Sequence, residues 1–121
     1  MDGRRHSVGK AGEDAAAAYL ESLGHEILAR GWRNGHLEVD IISETGKYLH
    51  FVEVKTRFFP EVTPASAVNR AKMLNMCRAA RAYLAMHPAS KEVRFDVVAV
   101  SANDRGGAII EYIEDAFLPF F

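Results

Sequence analysis

At 121 residues, with 49% hydrophobic, 26% charged and 10% aromatic side chains, the chain can build one core and is too short for two ordinary domains. That composition excludes disorder and low complexity, and a formal charge of -1 gives no global pull toward nucleic acid. No stretch approaches the roughly 18 apolar residues of a membrane span, the start of the chain lacks a signal-peptide apolar run, and Cys77 as single cysteine leaves no intrachain disulfide, so a cytoplasmic protein is expected.

The first predicted element is a helix over residues 7–23, capped by Ser7 and stopped by Gly24. Ala11, Ala15, Ala18, Tyr19 and Leu20 fall near helical spacing, an Ala-rich face suited to packing on a sheet. Residues 26–33 read as a strand ended by the turn dipeptide Asn34-Gly35. Strands over 37–42 and 51–55 follow, joined by Glu44-Thr45-Gly46-Lys47 with Gly46 expected at positive φ, which makes a three-stranded meander. Pro60 and Pro64 punctuate a loop. From residue 64 or 65 to 86, Val68, Ala71, Leu74, Cys77, Ala80, Tyr83 and Leu84 mark a long amphipathic helix followed by Pro88. Residues 93–100 and 108–113 are two further strands. The fold class predicted is therefore α/β (α+β mixed), one domain over residues 1–121 with a mixed sheet flanked by helices; residues 1–6 and the C-terminal tail are expected to be flexible.

Leu37-Glu38-Val39-Asp40-Ile41-Ile42 and Phe51-Val52-Glu53-Val54-Lys55 set acids and a lysine inside apolar strands, where charge without a partner is costly. Alternation puts Glu38 and Asp40 on one face of the first and Glu53 and Lys55 on one face of the second, with Val39, Ile41, Val52 and Val54 on the other. If residues 43 and 48 pair, Glu38 lies opposite Glu53 with Asp40 diagonal, and three carboxylates converge. Such a cluster asks for a cation, either Lys55 or a hard divalent ion such as Mg²⁺. Between residues 54 and 81 the bases Lys55, Arg57, Arg70, Lys72, Arg78 and Arg81 face the single acid Glu61, a local basicity able to steer a phosphate backbone; a solvated helix face explains it equally well. Glu13, placed near a helix start, is explained by the helix dipole unless it also faces the acids. The five histidines show no paired ligand spacing, Trp32 suits either packing or base stacking, and Asp96 is expected to pair with Arg94 or another cation.

Gly9-x-x-Gly12-Glu13, Glu38-Val39-Asp40-Ile41-Ile42, Phe51-Val52-Glu53-Val54-Lys55-x-Arg57, Lys72 and Arg94-Phe95-Asp96-Val97-Val98 together closely resemble the YraN-like endonuclease family over nearly the whole chain. The resemblance implies a restriction-endonuclease-like core, similar to archaeal Holliday-junction resolvases: helix, three-stranded meander, helix and further strand. It makes Asp40 and Glu53 metal ligands, Lys55 the catalytic lysine and Glu13 the helical acid beside them. The implied reaction is Mg²⁺-dependent phosphodiester hydrolysis in DNA, branched or structured by analogy, with Mn²⁺ as a substitute ion. In that scheme the Val54 carbonyl completes the metal site, Glu38 tunes it, and Arg57, Arg70 and Lys72 hold the backbone. One departure is Leu37, where the family usually has glycine. The alternative is a non-catalytic nucleic-acid-binding or protein-interaction module that retains the fold. A homodimer or an accessory protein partner is a further expectation, with Phe117, Phe120 and Phe121 as docking feature, although packing back on the sheet is the commoner fate of such residues.

Overall fold

The computed structural model describes the backbone of residues 3–58, 69–102 and 107–117. Its elements are α1 (Gly3–Ser22), β1 (Glu26–Asn34), β2 (Leu37–Glu44), β3 (Tyr48–Phe58), α2 (Arg70–Met86), β4 (Glu92–Ala102) and β5 (Ala108–Phe117). The five strands form one sheet in the order β1-β2-β3-β4-β5, antiparallel except for the β3–β4 pair, so the expected mixed sheet is found. α2 links the parallel pair, as such a crossover requires. Among the described residues no helix is long and apolar enough to cross a membrane.

The two helices cover opposite faces. Ala16, Ala17 and Leu20 of α1 pack on Ile41, Val52, Val98 and Val100, whereas Met76, Cys77, Ala79, Ala80 and Tyr83 of α2 pack on Val39, Ile42, Leu49, Phe51 and Phe95. The α1 face is rotated from the one expected: Gly12, Ala16, Ala17 and Leu20 are buried while Ala11 and Ala18 are exposed. Gly12 sets that rotation, because any Cβ there would run into the Thr56 side chain of β3. α1 starts at Gly3 rather than Ser7, and at its other end Gly24, with φ 96°, lets His25 donate to the Leu20 carbonyl at 3.0 Å. α2 starts at Arg70, later than residue 64 or 65, because Asn69 is extended and its side chain accepts the Lys72 amide at 2.8 Å. Pro60, Pro64 and Val68 lie outside the described residues, as do Phe120 and Phe121. Phe117 belongs to β5 and stacks on Phe95 at 5.1 Å, so this part of the tail packs on its own sheet. Trp32 meets Tyr83 edge-on at 5.5 Å against the α2 core, which resolves it as a packing residue.

The register of the central hairpin differs from the expected one. Ser43 pairs with His50, not residue 48, and Glu44 pairs with Leu49. The turn is shifted by one residue, closed by the Thr45 amide on the Tyr48 carbonyl at 3.0 Å and braced by Lys91 Nζ on the Thr45 carbonyl at 2.8 Å. Gly46 is not at positive φ. Glu38 therefore does not face Glu53; continuing the observed register brings Asp40 there instead. The expected shared face of Val39 and Ile41 is also broken, since Val39 packs toward α2 and Ile41 toward α1. Alternation slips at Asp40, across from Gly31, whose φ of 59° lets β1 follow the same roll between the pairs Arg30–Ile41 and Trp32–Val39.

A candidate active site where two strands part

The β2–β3 ladder stops at Ile41–Val52 although both strands run on. Asp40 is the first residue past that point, and its Oδ2 accepts the Val54 amide at 2.8 Å. A side chain thus satisfies a main-chain donor that a paired strand would otherwise engage, and the bond fixes the carboxylate in the gap. Glu53, the neighbour of Val52 on β3, comes opposite Asp40 when the observed register is continued, close enough for the Asp40 charge to act on it. Its side chain is only 12% exposed, and Lys72 Nζ, from the first turn of α2, sits 3.3 Å from its Oε2. Burial pushes the Glu53 carboxyl up to about 8, with the adjacent Asp40 charge and hydrogen bond adding to the rise and Lys72 opposing it. The Glu53 carboxyl is therefore much weaker as an acid than an ordinary glutamate.

An open cleft of about 730 Å³ reaches Asp40 and the neighbouring Val54 and Thr56 from the α1 side. Gly9, Lys10 and Glu13 form its α1 wall, and Arg30, Arg33 and Glu38 form the opposite one. Glu13 stands in the eleventh position of the twenty-residue α1, too far along for the helix dipole to explain it. Its Oε1 accepts Arg30 Nε at 3.0 Å, and Arg30 also reaches Asp14 through Nη2. The guanidinium lowers the Asp14 carboxyl and is itself raised by that hydrogen bond. Glu38 pairs with Arg33 Nη2 at 2.9 Å.

The expected convergence of three carboxylates is thus replaced by a pair, Asp40 with Glu53. Among the described residues no group of three His, Cys, Asp or Glu side chains comes together around a metal-sized site. Val54 itself lines the cleft beside Asp40. Lys55 follows Glu53 by two positions on β3, hence on the same face; it is half-buried and engaged within the fold. Lys72 is brought onto the acids, whereas Arg70 is an exposed residue at the α2 start with protein contacts of its own. The Arg57 side chain lies outside the described residues.

Two features escape sequence reasoning. One is the cleft cations Lys10, Arg30 and Arg33, because nothing in the pattern of β1 shows that it flanks the acids. The other is a buried polar network at the turn end of the hairpin. His50 Nδ1 lies 2.7 Å from Asp96 Oδ2, the Tyr112 hydroxyl donates to the same oxygen at 2.6 Å, and the Asp115 amide donates to Oδ1 at 2.9 Å. His50 Nε2 lies 3.0 Å from Thr45 Oγ1, and the His25 ring packs 4.5 Å from that of His50. Burial lowers His25, the neighbouring His50 adding to it, and burial likewise raises the Tyr112 phenol. Asp96 is therefore not the partner of Arg94, which instead binds Glu92 and Asp115 over the Tyr48 ring. With His50 and Asp96 almost wholly buried, the network is a structural tie and not a reaction site.

Residues 12–100 match the uncharacterised protein family UPF0102. A UPF0102 protein of Nitratidesulfovibrio vulgaris is 49% identical over 116 residues, covering 93% of this chain and 85% of its own. One from Bacteroides thetaiotaomicron is 42% identical over 117 residues, covering 94% of each. A third, from Frankia casuarinae, is 42% identical over 115 residues and spans 93% of this chain and 98% of its own.

Proposed function

Since the chain belongs to the UPF0102 family, a restriction-endonuclease-like group, we propose that the Asp40–Glu53 pair is the centre of a divalent-metal-dependent endonuclease acting on DNA, with branched or structured DNA as the first substrate to test. The observation behind this reading is the placement of two acids at the parting of β2 and β3, Asp40 fixed by the Val54 amide and Glu53 buried beside it, a proximity whose repulsion adds to the burial that raises the Glu53 carboxyl. Evolution could relieve that repulsion with one amide; a cation relieves it equally well. The donor set suits Mg²⁺, which is commonly held by one or two carboxylates with water and substrate phosphate filling the rest. Asp40, Glu53 and the Val54 carbonyl would hold the ion, with Mn²⁺ able to replace it. A bound ion would supply an acidified water and charge stabilisation on the phosphate.

This chain's own groups do the rest. The Val54 amide keeps Asp40 aimed into the gap. Lys55, on the Glu53 face, orients the attacking water and offsets negative charge as it develops on the phosphate. Glu13 holds Arg30 at the mouth of the cleft and acts on the site through it, so it is a positioning residue. Glu38 does the same for Arg33.

The test is a panel of single-stranded, duplex and four-way-junction DNA with Mg²⁺, Mn²⁺ or EDTA. Cleavage should need the metal and fall at least about a hundredfold in Asp40→Asn, Glu53→Gln and Lys55→Ala, the range expected when a group acts only in the transition state. Calorimetry with Mn²⁺ separates the roles: the two acid variants should lose binding and Lys55→Ala should keep it, because an ammonium is no ligand. The Lys72–Glu53 contact favours a second reading, a non-catalytic module in which acids and lysines form a structural ion-pair network. No cleavage of any substrate, with equal loss of metal affinity in all three variants, would select that reading.

A further inference from the structure

Asp40 is reached from the α1-side cleft, whose lining does not include Glu53 or Lys72. A phosphate that meets the Asp40 carboxylate from this cleft lies against that lining. Three cations stand there: Lys10 on α1, and Arg30 and Arg33 on β1. Three lining carboxylates, Glu13, Glu38 and Asp40, balance them, so among the described residues the lining is close to neutral, and a divalent ion at Asp40 would make it positive.

The acids also fix the guanidinium groups. Arg30 is clamped through Nε by Glu13 and through Nη2 by Asp14, and Arg33 is held through Nη2 by Glu38. A guanidinium carries five donors, so a carboxylate on one edge leaves others directed elsewhere and lowers the entropy lost when it meets a phosphate. Arg33 and Lys10 are accessible, at 72% and 69% side-chain exposure. The α1 wall between them is bare: a Cβ built on Gly9 would meet nothing within 4 Å. Among the described residues no aromatic side chain lines the cleft, whereas cations do.

Resting on the nuclease reading above, we infer that this cleft is a backbone-binding groove for one nucleic-acid strand, gripped at its phosphates by Arg33, Lys10 and the buttressed Arg30 without base readout. The α1–β1 side, rather than the Arg70 and Lys72 side of α2, then supplies the main grip.

The experiment is fluorescence anisotropy with a labelled single-stranded DNA, its RNA counterpart, a duplex and a four-way junction, in Ca²⁺ and in EDTA at several salt concentrations. Lys10→Ala/Arg33→Ala should weaken single-strand binding roughly tenfold irrespective of sequence, and should flatten the salt dependence by about 0.7 per lost phosphate contact. Gly9→Glu, which adds a carboxylate to the open wall without steric conflict, should weaken binding similarly while Gly9→Ala leaves it unchanged. Equal loss for the DNA and RNA strands supports backbone recognition; a loss confined to one is met by a contact to the sugar and overturns it. If the wild type binds but ignores the cleft variants, and Arg70→Ala/Lys72→Ala alone releases the strand, the groove is refuted while the nuclease reading stands. Failure of the wild type to bind any of the four nucleic acids would overturn both.

Discussion

Glu53 holds a conflict that the rest of the fold has to sustain. Its carboxyl, 4.5 in an unstructured chain, rises to about 8 in the fold, mainly through burial and then through Asp40. Between those two values the folded protein keeps a proton that the unfolded chain has released. Stability from this group is therefore complete below pH 4.5 and is lost as pH rises through about 8. Glu53→Gln removes the titration, so the variant should match the wild type near pH 5 and exceed it at pH 9. At about 1.4 kcal/mol per pKa unit, a gain of several kcal/mol, at most about 5, is expected. Urea unfolding of both proteins at the two pH values measures it, and parallel pH profiles would contradict it. A metal bound by Glu53 must expel the same proton, so Mn²⁺ affinity should climb with pH up to about 8 and then level off. Calorimetry in buffers of different ionisation enthalpy counts the proton released; affinity that stays flat from pH 6 to 8 would remove Glu53 from the ligand set.

At the scale of elements, α1 is held against the sheet by the absence of a side chain. Gly12 sits over Thr56, which itself lines the cleft, so the distance between helix and β3 sets the depth of the groove. Gly12→Ala should destabilise by about 1–3 kcal/mol through overpacking, against the gain of up to about 1 kcal/mol that alanine brings to an exposed helix position. Gly9→Ala, on the same helix with open space around it, should instead stabilise by up to about 1 kcal/mol. Thermal unfolding of the two variants gives opposite signs under this account. The same sign for both would show that helix propensity, not contact with β3, decides. The sequence marks both glycines in one short motif and gives no means of telling them apart.

Over the whole molecule, the buried Asp96 network ties β3 to β5 across β4, with Asp96 paired to Val52, one step along the strand from Glu53. One carboxylate accepts from β3 through His50 and from β5 through both Tyr112 and the Asp115 amide, and Asp115 takes a positive φ of 57° to reach it. The β4–β5 register shifts in the same place, between Phe95 and Val97. Asp96→Ala leaves an imidazole and a phenol buried without their shared acceptor, which should cost about 3–5 kcal/mol. Urea unfolding measures that loss. Where the variant remains folded, Mn²⁺ affinity should stay at the wild-type value, since the network touches neither Asp40 nor Glu53. A stability change below about 0.5 kcal/mol would show the network to be incidental.

The chain of residues by itself determined the element order, the mixed sheet and the presence of acids and a lysine in two adjoining strands, because hydrophobic period and turn chemistry are local. Phe51-Val52-Glu53-Val54-Lys55 reads as a strand with charges on one face wherever it is placed, and it is found so. Tertiary structure alone decided which acids meet. A one-residue shift of the turn exchanged Glu38 for Asp40 opposite Glu53, and the roll at Gly31 sent Val39 and Ile41 to different helices. Such choices depend on summed packing of both faces and on distant braces such as Lys91 on Thr45 and Asp96 on His50, each pair 46 residues apart in sequence. Glu13 and Glu38 match the family pattern in sequence, but their partners Arg30 and Arg33 are found only when β1 is laid beside α1 and β2. Charge pairing acts through space, and the spacing of residues along a chain carries no distance between elements until the fold supplies it.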